Sequence, residues 1–172
     1  MPSYAEARHI MGRNFVGPEL SSCFGVKTDS INSDVPIPFS EDVLKASKDD
    51  YLLVSIFPLS IKQMIFYLRD KGPRINTDWM KNEEFTSVTN DGIVWRLIPK
   101  FEQDSRTFPI DINTDHTAQE LLYTMITYFF ATREKLFWDK YVTSSSVNSE
   151  GARILIGWFD QIDFRRHARR AA

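Results

Sequence analysis

One cysteine and three histidines are all that the 172 residues provide of the side chains that most often hold metals or act as nucleophiles. With Cys23 alone, an intramolecular disulfide is impossible, and no cysteine-based zinc or iron–sulfur site can form within one chain. His9, His116 and His167 do not stand at i, i+3 or i, i+4 from one another, which argues against a multi-histidine metal site. Only seven glycines are present, and neither G-x-x-x-x-G-K-[ST] nor G-x-G-x-x-G occurs, so phosphate cradling by either loop has no support. No apolar run approaches the ~20 residues of a membrane span. The N-terminus lacks a basic region followed by an apolar run, and neither repeats nor low-complexity tracts are found. Twenty-one basic against 23 acidic residues give a formal charge of −2, which predicts no global attraction to nucleic acid or anionic membrane. The expectation is a soluble cytoplasmic protein that needs no cofactor.

What is present is ordinary for a globular chain: 42% hydrophobic and 26% charged residues, at a length that suits a single core. The stretch from Thr117 to Phe130 is its organising element. Thr117 and Glu120 make a T-x-x-E capping box. Leu121, Leu122, Met125, Ile126, Phe129 and Phe130 follow at helical spacing, flanked by Tyr123 and Tyr128, so the cylinder is apolar almost all round and must be buried on more than one side. A core helix over about residues 118–131 follows, and truncating Phe129 to Ala is expected to cost about 3–5 kcal/mol.

Before it, Ser3 and Glu6 cap a helix carrying Tyr4, Ala7, Ile10 and Met11 on one face, ended by Gly12. Pro18 opens a short helix through about Phe24, with Gly25 as its stop. Ser40, Glu41 and Asp42 start a helix with so little apolar content that a surface position is expected. Tyr51 to Phe57 reads as an interior strand stopped by Pro58. Ser60 and Gln63 cap a helix presenting Ile61, Met64, Ile65 and Leu68, ending at Gly72 and Pro73. From Arg74 to Asp91 the only expected regular structure is a helical turn near Trp79 to Phe85. Gly92 to Ile98 reads as a strand, apolar on both faces. Trp138 to Ser145 and Ala152 to Phe159 form a strand pair joined by the turn-prone Ser146 to Gly151, with Ala152, Ile154, Ile156 and Trp158 on one face. Helices interspersed with strands and ending in a hairpin predict an α+β single domain, residues 1–164, with a mostly antiparallel sheet packed around the buried helix.

The last eight residues differ. Arg165, Arg166, Arg169 and Arg170 stand there with no acid, leaving the remainder near −6. As a basic C-terminal tail over 165–172, this cluster can be a solvated terminus, or it can meet phosphates or an acidic partner. A second candidate is a pocket of planar donors and aromatic faces built from Arg13, Asn14, Trp79, Trp95 and Arg96.

Other spacings fail on inspection. Asp111, Asn113 and Asp115 match the first ligand positions of a calcium loop, but His116 stands where glycine must turn the chain and Leu122 where a bidentate glutamate must close the shell. Phe57 to Ile61 places Ser60 at a strand–helix bend without the glycines of a nucleophile elbow, so Ser60 is read as a cap. Cys23 is read as a small buried hydrophobe. The adjacent acids Asp49-Asp50 and Glu83-Glu84 are read as solvated surface.

The segments Arg13 to Gly17, Ile37 to Glu41, Phe57 to Ile61, and Leu136 through Tyr141-Val142 to Gly151 resemble a family of uncharacterised small bacterial proteins, over most of the chain up to about Phe159. The family has no established activity, so the resemblance implies a bacterial protein but no catalytic residue and no ligand. Its members continue with strand-like sequence where this chain carries the arginine tail, which implies a shortened sheet.

Three functions remain open at this level. The first is a non-enzymatic binding domain that meets a protein partner or a second copy through an aromatic surface or an edge strand. The second is a small enzyme assembled from scattered carboxylates, arginines and hydroxyls. The third is nucleic-acid binding through the tail alone. No membrane partner is expected.

Overall fold

Caps written into the sequence start the helices of the computed structural model, which describes residues 1–27, 35–68, 71–100, 115–157, 159 and 161–166. Helix α1 is Tyr4–Met11, opened by the reciprocal Ser3/Glu6 box and closed by Gly12 at positive φ. Pro18–Phe24 winds as a 3-10 helix stopped by left-handed Gly25. Ser40 caps α2, Glu41–Ser47. At α3, Ile61–Leu68, the Ser60 N–H donates to Gln63 Oε1 at 2.8 Å and the Gln63 N–H donates to Ser60 Oγ at 3.2 Å. Ser60 is therefore occupied as a cap. Helix α4, Ala118–Thr132, opens on the Thr117/Glu120 box.

The strands are β1 Phe15–Val16, β2 Tyr51–Ile56, β3 Arg74–Ile75, β4 Val94–Pro99, β5 Tyr141–Val147, β6 Arg153–Gly157 and β7 Gln161–Arg166. They form two sheets, β1-β2-β4 and β3-β7-β6-β5. The one sheet expected above is corrected to two, in which antiparallel pairing still predominates. Each sheet contains one parallel pair, β1 with β2 and β3 with β7, while β2/β4, β5/β6 and β6/β7 are antiparallel. The α+β class and the buried helix hold.

A helix apolar all round needs cover on both sides, and α4 gets it by packing on β1 and β2 of the first sheet and on β5 and β6 of the second. Every residue from Ala118 to Tyr128 is buried, polar ones included. Thr124 and Thr127 return their hydroxyls to the backbone carbonyls of Glu120 and Tyr123, which satisfies them without solvent. The first sheet is covered on both faces. Leu52, Val54 and Ile56 join the main core with α4, whereas Leu53 and Trp95 join a second cluster with Ala7, Met11 and Leu44. Leu44 anchors α2 in that cluster while the rest of the helix stays at the surface, as its thin apolar content suggested. Phe129 is half-buried, its ring tilted against that of Phe159 with centroids 4.9 Å apart.

Several boundaries move. Phe137 sits at positive φ and Trp138 is exposed in a turn, so the strand expected from Trp138 begins at Tyr141. Near Trp79 to Phe85 the expected helical turning is present, as hydrogen-bonded turns from Thr77 to Glu83 followed by a 3-10 turn at Glu84–Thr86. The boundary expected after Phe164 falls inside β7. Ile162 and Phe164 face the core there while Asp163 and Arg165 face outward, and this alternation carries the strand to Arg166. A third strand thus follows the hairpin. Trp158, His167, Arg169, Arg170, Asp111 and Asn113 lie outside the described residues.

Candidate functional site

Ile65 and Leu68 stand one turn apart on α3 and face β3 across a groove whose other wall is Gly72 to Asp78. The groove holds about 390 Å³, inside the range of small-ligand sites. Its backbone chemistry follows from register. Strand β3 pairs with β7 as Arg74↔Gln161 and Ile75↔Ile162, and the Asn76 N–H donates to Ile162 O at 2.9 Å. Successive residues of a strand point their N–H and C=O to opposite edges. The Ile75 N–H and C=O therefore face away from β7, over the groove, with no partner among the described residues.

Side chains alternate between the sheet's faces. Ile75 packs on the main core, while Arg74 and Asn76 lie on the outer face with Asp163. Asp163 is engaged there on both oxygens. It accepts from Asn76 Nδ2 at 3.3 Å, from the Tyr141 hydroxyl at 2.7 Å and from Arg165 Nε at 3.0 Å. The Arg165 guanidinium also lies 4.8 Å over the Tyr141 ring. Burial, then the bond to Asp163, pushes the Tyr141 phenol well above its usual range. Arg74 is left exposed at the groove mouth with no ion pair among the described residues.

The five residues read as a pocket do not meet, and none lines the groove. Trp95 and Arg96 are neighbours on β4 and so face opposite sides. The Trp95 Nε1–H donates to Val35 O inside the second cluster, whereas Arg96 Nε donates to Glu120 Oε2 at 2.8 Å. Asn14 is buried, with Nδ2 on Lys48 O. Arg13 pairs with Glu134 on the surface. Trp79 belongs to the second sheet's surroundings, its Nε1–H donating to Phe164 O. Of the tail arginines, Arg165 is held as above, and Arg166 lies 5.6 Å over Trp79 and 3.7 Å from Glu150.

Sequence reading missed Arg74, Ile75 and Asn76. Two residues of strand are too few for any period to show, and their partner strand lies 87 residues away in sequence.

A second polar cluster sits where α4 begins. Glu120 is 6% exposed, takes Arg96 on Oε2 and has His116 Nδ1 at 3.9 Å, while the Thr117 N–H donates to its Oε1. Burial works to raise its carboxyl, but the nearby His116 ring, the Thr117 backbone N–H and the Arg96 charge outweigh burial and hold it below the ordinary value. A depressed carboxyl stabilises the fold above its unfolded value, about 4.3 for glutamate, and that stability is lost as pH falls towards the lower folded value. Glu120→Gln keeps a capping-box side chain and drops the charge. Its stability, measured by urea unfolding, should be lower than wild type at pH 7 and should fall less between pH 5 and pH 3. Equal pH dependence in the two proteins would remove Glu120 from the acid response.

The resolved shifts all lead away from neutrality. Burial pushes the Cys23 thiol up to about 12, so it is not a thiolate nucleophile at pH 7. Burial, with Glu19 and Glu134 respectively, pushes Tyr4 and Tyr128 up to about 12. No group of three or more metal-ligating His, Cys, Asp or Glu side chains occurs among the described residues, and no described helix is long and apolar enough to cross a membrane.

No family model matches the chain, and neither a curated protein nor a solved structure does. What the site can do follows from its geometry alone.

Proposed function

We propose that the chain is a non-catalytic binding domain whose ligand lies in the groove between α3 and β3. The observation that carries this reading is the Arg74 guanidinium beside the Ile75 backbone donor and acceptor, none of them paired among the described residues, in a groove of about 390 Å³. A cation of this kind suits a carboxylate or another planar anion, which arginine binds through paired N–H donors. The displaced titrating groups support binding over catalysis. A general acid or base works best with its pKa near the working pH, and Glu120 and Cys23 are displaced the other way. Nucleic-acid binding through the basic end draws less support, because Arg165 is held by Asp163 and Arg166 lies between Trp79 and Glu150. The lone cysteine and the family resemblance favour a reducing bacterial cytoplasm as the place of action.

Native mass spectrometry of the full chain, recovered gently at low salt from the cells that make it, tests this. The wild type is expected to carry a non-covalent mass that Arg74→Gln loses. A bare wild type, or a bound mass indifferent to the substitution, contradicts the reading.

A further inference from the structure

We propose that the occupant of the groove is an extended segment of a partner protein, added as a strand to the edge of β3 that faces away from β7 and carrying an apolar residue next to an acidic one. This rests on the groove being the ligand site. The Ile75 N–H and C=O lie on one edge of the sheet without a partner among the described residues, and open strand edges are templates for a further strand. In an antiparallel hydrogen-bonded pair, one incoming residue exchanges both bonds with the residue opposite. An incoming amide backbone thus satisfies donor and acceptor together.

The side chains of that segment follow from the pleat. The residue opposite Ile75 shares its face, where Ile65 and Leu68 of α3 line the groove, and should be apolar. Its neighbour shares the Arg74 face, where an acidic side chain meets a guanidinium that no described carboxylate neutralises. Opposite charges directly across a strand pair are stabilising. A second copy fits less well. Two β3 edges meeting at Ile75 bring Asn76, already bound to Asp163, opposite Arg74 instead of a carboxylate. With β3 only two residues long, the paired stretch is short, and affinity depends on the carboxylate.

The test is selection of a displayed random-peptide library on the immobilised full chain. The strongest peptide is then synthesised with blocked ends and measured by fluorescence anisotropy. Selected sequences are expected to share an acidic residue beside an apolar one. Replacing that acid by its amide, or Arg74→Gln in the protein, should each weaken binding about tenfold, with little further loss when combined. N-methylation of the apolar residue opposite Ile75 removes its donor without touching the protein and should weaken binding by a similar factor. Peptides that bind Arg74→Gln as tightly as wild type overturn both the peptide assignment and the groove as binding site. Failure to select any peptide, while native mass spectrometry shows a small molecule lost from Arg74→Gln, overturns the peptide assignment and leaves the groove reading standing.

Discussion

Replacing Gly157 with alanine is expected to destabilise the protein by about 3 kcal/mol or more, the upper part of the range for overpacked sites. Gly157 lies in β6 between Tyr141 of β5 and Asp163 of β7. A Cβ built on it would sit 1.8 Å from the backbone oxygen of Lys140 and 3.0 Å from the Tyr141 Cα. Both obstacles are main chain, so no rotamer change can relieve them, and the β5/β6 pairing itself must open. The bare backbone at this position also lies between Tyr141 and the carboxylate it reaches on Asp163. Disturbing that pair loosens the tie from Asp163 to Asn76, so residual folded Gly157→Ala should bind more weakly in the groove as well. Urea unfolding measures the first effect. A loss below about 1 kcal/mol would mean that β5 and β6 do not approach as described.

Ile126→Ala should cost about 2–5 kcal/mol. Ile126 is fully buried on α4, the helix held between the two sheets, and the surrounding backbone of helix and strands leaves little room for collapse around the lost atoms. Phe129, by contrast, is half-buried near the helix end, with Arg133 5.6 Å over its ring. The 3–5 kcal/mol expected of it from sequence is therefore an upper bound for that position. An Ile126→Ala change below about 1 kcal/mol, again by urea unfolding, would take α4 out of the centre of the core.

The parts of the fold legible in the sequence are those fixed by local chemistry. Ser3, Ser40, Ser60 and Thr117 each begin a helix because a cap is decided by residues within one turn. The apolar circumference of α4 signalled burial on more than one side, but not that two separate sheets supply it. That arrangement depends on β1 and β3, two residues each, whose parallel partners are distant and whose periodicity is too short to read. The arginines after Phe164 read as a tail because charge alone does not show the partners that Asp163 and Tyr141 give Arg165. Once Asp163 and Tyr141 are placed beside Arg165, that residue belongs to the outer face of β7, and Arg166 is the last residue of the same strand. The five-residue pocket failed for a related reason. Residue type suggested a constellation, and alternation along β4 separates Trp95 from Arg96. Arg74 carried no motif at all. Its interest arises from what the register of β3 leaves open beside it.

The most direct measurement of the binding site is an amide NMR titration of the full chain with the tightest peptide from the display selection. Shift changes are expected to centre on Ile65, Leu68 and the backbone from Gly72 to Asp78, with the Ile75 amide exchanging more slowly in the complex. Changes confined to other surfaces, with the Ile75 amide exchanging as fast as in the free protein, would contradict the groove as the place where this protein binds.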